Sequence, residues 1–255
     1  MAVPSGTVSM TNLATEFGGA TPHSLSEYYR GGAYVNSAVD SKVPTSGVVS
    51  LNDFRGVSQI VPPIISYQGH VNSTTRTITV PTAGDKIIYC CTGSENDSGG
   101  VLSSATIGGV SAVIQYAPSV SDTTGHFWRY MSNGQGGATT ISYSQYGGGS
   151  HYCWIIENVK SLHQGIAGGG SWNFSGMSAS KMYVVIAGNR SRGSGGQHTF
   201  SATNGYNVTA HPHFNNGGGG NYSIGSGSAN INAGATSSNV TMSGGDVGYA
   251  SMFTN

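Results

Sequence analysis

The stretch Lys181-Met182-Tyr183-Val184-Val185-Ile186-Ala187 decides the fold class. Side chains alternate across a strand, so Met182, Val184 and Ile186 share one face while Tyr183, Val185 and Ala187 share the other. Apolar residues on both faces predict a central strand covered on each side. Working outward, the same period of two recurs over residues 64–70, 74–80, 86–92, 101–107, 110–116, 124–131, 139–146, 151–157 and 248–253. Between two of these runs, Thr106-Ile107-Gly108-Gly109-Val110-Ser111 reads as a two-residue hairpin, because Gly supplies the positive φ that primed turns require. Short strands with no helical pattern between them predict a mainly β fold, an antiparallel β-sandwich or jelly-roll-like domain over residues 64–255. Residues 191–239 hold four consecutive glycines, many Gly-Ser and Asn-Gly pairs and few large apolar side chains. Long irregular loops or short edge strands are expected there.

Composition agrees. Of 255 residues 41 are Gly and only 8% are charged, against about 25% in ordinary globular proteins. Gly costs roughly 0.8–1 kcal/mol relative to Ala inside a helix, whereas short strands and tight turns accept it. Hydrophobic residues, 37% of the chain, gather in alternating runs, which opposes disorder. Ten basic and ten acidic residues cancel. No clustered cation field is then available to hold nucleic acid or an acidic membrane, and a weakly charged chain tends to self-associate. The N-terminus carries no basic stretch leading into an apolar core, and no 18-residue apolar run spans a membrane, so synthesis in a reducing cytosol without membrane insertion is expected. Cys90, Cys91 and Cys153 are an odd set without ligand spacing and read as buried free thiols.

Residues 1–58 differ from the rest. Ser9-Met10-Thr11-Asn12-Leu13 returns as Ser50-Leu51-Asn52-Asp53-Phe54, with a shorter version, Ser24-Leu25-Ser26-Glu27-Tyr28, between them. Ser followed three positions later by a side chain that can reach back is a helix-start pattern. Three short helical turns are predicted from Ser9, Ser24 and Ser50, ending at Gly18-Gly19, Gly31-Gly32 and Gly56. Such helices are unstable alone. Their apolar residues, Leu13, Phe17, Leu25, Tyr28, Tyr29, Leu51 and Phe54, therefore need a surface, either in the chain's own second domain or in a neighbouring subunit. A connector, residues 59–63, ends in the stiff pair Pro62-Pro63.

Catalytic motifs do not stand out. The chain has no phosphate-binding loop, no His-Glu-x-x-His and no Gly-x-Ser-x-Gly. Its carboxylates sit mostly beside turn residues, and Glu95-Asn96-Asp97-Ser98 reads as a turn before it reads as a calcium loop. His211-Pro212-His213 is the one close His pair and, without a third ligand, reads as surface strand, so neither a metal nor another cofactor is assigned. Aromatic residues among Gly, Asn and Ser form an adaptable recognition palette. Trp172, Phe174 and Tyr222 are the ligand-contact candidates on that ground. The competing reading is aromatics that cap a core.

The order Val3-Pro4-Ser5-Gly6, His23-Ser24-Leu25-Ser26-Glu27-Tyr28-Tyr29-Arg30-Gly31-Gly32 and Val43-Pro44-Thr45-Ser46-Gly47-Val48-Val49-Ser50-Leu51-Asn52-Asp53-Phe54-Arg55-Gly56 resembles a segment recurrent in virion structural proteins of tailed bacteriophages. The resemblance covers about the first 56 residues. It implies a non-enzymatic tail- or neck-associated fibre-like protein, located in the virion, that docks to other virion proteins through its N-terminus. Fibre precedent adds a homo-oligomer, a trimer, and contact with a host surface glycan. Capsid decoration is the alternative. A carbohydrate-active enzyme on a jelly-roll scaffold stands behind it.

Overall fold

The computed structural model describes residues 2–35, 42–57, 61–93, 102–117, 124–145, 149–178, 181–192, 198–216, 222–232, 234–243 and 247–255. It is mainly β, with antiparallel sheets and a small helical N-terminal part.

The N-terminal serines act as the sequence predicts. Ser9 caps α1 (Met10–Phe17): the Asn12 backbone N–H donates to Ser9 Oγ at 3.2 Å, and the Ser9 N–H donates to Asn12 Oδ1 at 2.8 Å. Single 3₁₀ turns follow Ser24 (Leu25–Tyr28) and Ser50 (Leu51–Phe54), where the Ser backbone N–H donates to Glu27 at 3.0 Å and to Asp53 at 2.7 Å. Each turn delivers large apolar side chains to one core, built from Val3, Val8, Leu13, Phe17, Tyr28, Val35, Val43, Phe54 and Val57. Phe54 meets Phe17 and Tyr28 edge-on at centroid distances of 6.0 and 6.5 Å. The ends are tied by Val3 N–H to Val57 O at 2.8 Å and by Gly56 N–H to Val3 O at 3.0 Å. Most of the apolar surface that the echo exposes in sequence is thus satisfied within residues 3–57.

Residues 64–255 contain two sheet pairs where the sequence suggests one sandwich. In the first half, β1 (Ile64–Val71), β9 (Ser150–Glu157), β3 (Lys86–Gly93), β7 (Thr124–Met131) and β6 (Val113–Tyr116) form one sheet, in that spatial order. Facing it lie β2 (Thr75–Val80), β8 (Gly137–Gln145), β4 (Leu102–Ile107) and β5 (Val110–Ser111). Ile88, Cys90, Phe127, Cys153, Ile78, Ile107 and Ile141 fill the space between them. The hairpin at Gly108-Gly109 forms with Ile107 opposite Val110.

The second half repeats the order. One sheet runs β10 (Ser161–Gly168), β17 (Val247–Thr254), β12 (Tyr183–Arg192), β15 (Tyr222–Ile231) and β14 (Gly205–Asn216), and the other runs β11 (Ser171–Phe174), β16 (Ser238–Met242) and β13 (Phe200–Ala202). Strand for strand, β10, β17, β12 and β15 take the places of β1, β9, β3 and β7. The central-strand reading holds here: Tyr183, Val185 and Ala187 enter the core of the second sandwich, while Val184 and Ile186 enter a separate core between the two halves. That middle core also takes Ile87, Tyr89, Cys91, Tyr152, Trp154, Ile156, Ile224 and Phe253. The described strands therefore stack as four sheets. The junction is pinned where Asn158 N–H donates to Asp85 O at 2.9 Å, Lys160 Nζ pairs with the Asp85 carboxylate at 3.2 Å, and Lys160 N–H donates to Thr254 O at 2.9 Å. Both halves also clasp the connector: Asn158 Nδ2 donates to Pro62 O at 2.9 Å and Asn230 Nδ2 to Pro63 O at 2.7 Å.

Residues 191–239 hold more strand than expected. In β15, Gly225, Gly227 and Ala229 alternate with Ser226, Ser228 and Asn230. A Cβ at Gly225 would overlap the His198 ring and one at Gly227 the Phe200 ring. Period two is present, but written in small residues because large side chains of the facing sheet occupy the space.

Candidate functional site

Strands β1 and β14 are edge strands of the two inner sheets. The pairing of β1 shifts between Tyr67 and His70, and that of β14 between Tyr206 and Thr209 and again between His211 and Phe214. Bulges bend a strand and re-aim its side chains. Here they open a cleft of about 520 Å3 between the halves, lined by Pro63, Ile64, Ile65, Tyr67, Asn207, Thr209, His211, Ser228 and Asn230. On the opposite side, the corresponding space among the described residues is filled: Tyr116 stacks on Tyr249 at 4.7 Å, and Gln115 bridges the Tyr249 hydroxyl, at 3.1 Å, and the Trp128 indole N–H, at 3.3 Å.

The cleft floor is hydrogen-bonded and uncharged. His211 stacks on Tyr67 with centroids 4.1 Å apart. The Trp154 indole N–H donates to His211 Nε2 at 3.1 Å, and Ser228 Oγ lies 2.9 Å from the same nitrogen. Indole only donates, so Nε2 carries no proton, Ser228 donates to it as well, and the imidazole proton resides on Nδ1. Burial lowers the His211 pKa to about 4 and raises that of Tyr67 to about 12, so both rings are neutral at pH 7. The Asn230 amide is fixed by the Pro63 carbonyl and, at 3.4 Å, by the Tyr206 hydroxyl. Asn207 and Thr209 stand exposed at the rim.

A second polar cluster lies deeper. Tyr89 Oη is 2.6 Å from His126 Nδ1 and 3.1 Å from Ser251 Oγ, and Cys91 Sγ is 3.6 Å from His126 Nε2. A Cys–His pair suggests a nucleophile only if the thiolate is accessible. Burial pushes the Cys91 thiol up and the His126 imidazole down to about 3, so the pair is neutral, and both residues are fully buried. It is a hydrogen-bonded part of the sandwich junction. All three thiols are expected to resist an aromatic disulfide reagent in the native protein and to react together in denaturant. Stoichiometric labelling of native Cys91 would show the junction to be open.

The sequence-based candidates fare unevenly. Trp172 and Phe174 do not face outward: they are 0% and 1% exposed and belong to the second sandwich's core, opposite Val240 and Ser238 of β16. Ser171-Trp172-Asn173-Phe174 alternates as a strand does, and its two rings share the buried face. Tyr222 opens β15 opposite Asn216 and Arg192, and its side chain lies outside the described residues, as do the Glu95–Ser98 loop and the His213 side chain. Of the docking candidates, Leu13, Phe17, Tyr28 and Phe54 are buried in the N-terminal core, so they hold that unit together and are not offered to a partner. Leu25, Tyr29 and Leu51 are half-buried, and the Tyr29 hydroxyl donates to Gly47 O. His211, read from the sequence as surface strand, is instead buried, and the parts of the cleft lie far apart in the chain, so no local pattern marks it. Among the described residues no three His, Cys, Asp or Glu side chains gather as a metal would require, and no helix is long and apolar enough to cross a membrane.

No protein-family model, no curated protein and no solved structure matches the chain.

Proposed function

We propose that this chain is a structural component of a tailed-phage particle, a tail- or neck-associated fibre-like protein that docks through residues 1–58 and projects the stacked sandwiches. The observation that carries this reading is the N-terminal unit: its triple echo closes on its own core, and the Pro62-Pro63 connector beyond it is clasped by the body. A small unit that satisfies itself and is followed by a fixed connector suits a plug. Docking then falls to its outer surface, to which Val48 contributes at 92% exposure and Leu25, Tyr29 and Leu51 contribute in part. In the body, the order β1-β9-β3-β7 against β2-β8-β4-β5 supports jelly-roll winding, repeated in the second half. Self-association into a trimer, with other virion proteins as partners, completes the reading.

Removing residues 1–58 is expected to leave the strands folded, by circular dichroism, and to abolish incorporation into particles, measured by mass spectrometry of purified virions. Val48→Asp should lower incorporation at unchanged thermal stability. Normal incorporation of the truncated chain would overturn the docking role.

A further inference from the structure

The geometry points to the cleft between β1 and β14 as a binding site for a short uncharged saccharide. This goes beyond the particle role and does not depend on how the N-terminus docks.

Four observations carry it. The cleft, about 520 Å3, lies within the roughly 300–1,000 Å3 typical of small-molecule sites. Its lining is amphipathic in the way a sugar ring is: Pro63, Ile64, Ile65 and the Tyr67 ring offer apolar surface, while Asn207, Thr209, His211, Ser228 and Asn230 offer amides, hydroxyls and an imidazole. Sugars present C–H faces to the first kind and hydroxyls to the second. None of the nine described lining residues is an acid, Lys or Arg, and Arg76, whose charge reaches Tyr67, has its guanidinium on the carbonyls of Gln68 and Gly69, so no described lining residue compensates a charged ligand, whose desolvation would then be unfavourable. The polar groups are also set in advance. Trp154 and Ser228 hold the His211 ring through Nε2, which leaves Nδ1–H as a donor with no protein acceptor among the described residues, and Pro63 O holds the Asn230 amide. Fixed donors spare a ligand the entropy of ordering them.

An extended peptide added to an edge strand is the competing occupant, and the edges oppose it. Strand addition needs an uninterrupted row of free backbone groups. On β1 the carbonyls of Gln68 and Gly69 already accept from the Arg76 guanidinium. On β14 two register shifts break the row.

The test uses the full-length chain on an array of uncharged hexose, N-acetylhexosamine and deoxyhexose oligosaccharides, with acidic saccharides and random-sequence peptides alongside. Titration calorimetry follows on the tightest array ligand. The rim variant Asn207→Gly/Thr209→Val removes an amide and a hydroxyl without loss of core. Asn207 has φ 50°, which Gly accepts, and Val copies the shape of Thr. The expected result is binding of at least one uncharged saccharide, weakened tenfold or more in the rim variant and unchanged in Thr77→Val on the remote strand β2. Absence of binding across the uncharged set overturns the proposal, as does binding that the rim variant leaves intact. Preferential capture of acidic saccharides or of peptides also overturns it. None of these failures touches the particle-incorporation result, so the two readings fall separately.

Discussion

Lowering the pH from 7 to 4.5 is expected to remove several kcal/mol of stability from this protein and bring it close to unfolding. Four histidines are held neutral by burial: His126, with its pKa lowered to about 3, and His70, His151 and His211, each lowered to about 4. Arg76 adds to the lowering at His70 and His151, whereas the Ser73 carbonyl opposes it at His151. In the unfolded chain each returns to about 6.5. A base whose folded pKa is depressed contributes full stability above the unfolded value and loses it as pH falls toward the folded value, because the unfolded chain then takes up protons that the native state refuses. The window therefore runs from about pH 6.5 down to about pH 4. At about 1.36 kcal/mol per pK unit the gross effect is large. Relaxation, water entry and, at the less buried His70, solvent screening reduce it to about 1–2 kcal/mol per histidine, and four of them rival the whole stability of a typical domain, about 5–15 kcal/mol. Urea titrations at pH 7, 6, 5 and 4.5 should show the midpoint falling steadily, with a slope approaching four protons near pH 5. His126→Asn should lower that slope by close to one. A midpoint that is flat between pH 7 and 5 would mean that these rings are hydrated and that the sheets are not tightly stacked around them.

How far the sequence carried the fold depends on which residues bore the signal. Large alternating side chains announced themselves: residues 181–187 became the central strand, and most upstream runs became strands within a residue or two. The capping serines were equally legible, because Ser9, Ser24 and Ser50 act over three residues and need no distant partner. Signals that depend on a distant neighbour were lost. In β15 the alternation Gly225, Gly227, Ala229 makes sense only once His198 and Phe200 stand opposite. The duplication is carried by strand order, while Ile87-Ile88-Tyr89-Cys90-Cys91-Thr92 and Met182-Tyr183-Val184-Val185-Ile186-Ala187 share pattern without identity. For the same reason the cleft was illegible: Tyr67, Trp154, His211 and Ser228 meet only because bulged edge strands of two sandwiches come together.

Inserting a single methyl group at either of two equivalent glycines is expected to strain the junction between those sandwiches. Gly93 ends β3 and Gly188 stands at the matching point of β12, and each faces the opposite half. A Cβ on Gly93 would overlap Ile224 Cδ1 and lie 2.7 Å from its Cγ1. A Cβ on Gly188 would overlap Cys91 Sγ and lie 3.2 Å from His126 Cε1. Neither glycine has a left-handed φ, so the backbone accepts a side chain and the obstacle is space alone. Overpacking of this kind costs about 1–3 kcal/mol, while replacing Gly returns about 0.4–1 kcal/mol through the unfolded chain. Gly93→Ala should therefore destabilise by about 1–2 kcal/mol net, whereas Gly6→Ala, with nothing within 4 Å of its Cβ, should stay within about 0.5 kcal/mol of the parent. Space can be returned from the other side. Ile224→Ala alone leaves a cavity worth about 2–5 kcal/mol, but the Gly93→Ala/Ile224→Ala pair should cost less than the sum by about 1 kcal/mol or more, and Gly188→Ala with Cys91→Ala should couple in the same sense. Strict additivity of both pairs in urea denaturation would show that these strands do not meet across the junction of the two halves.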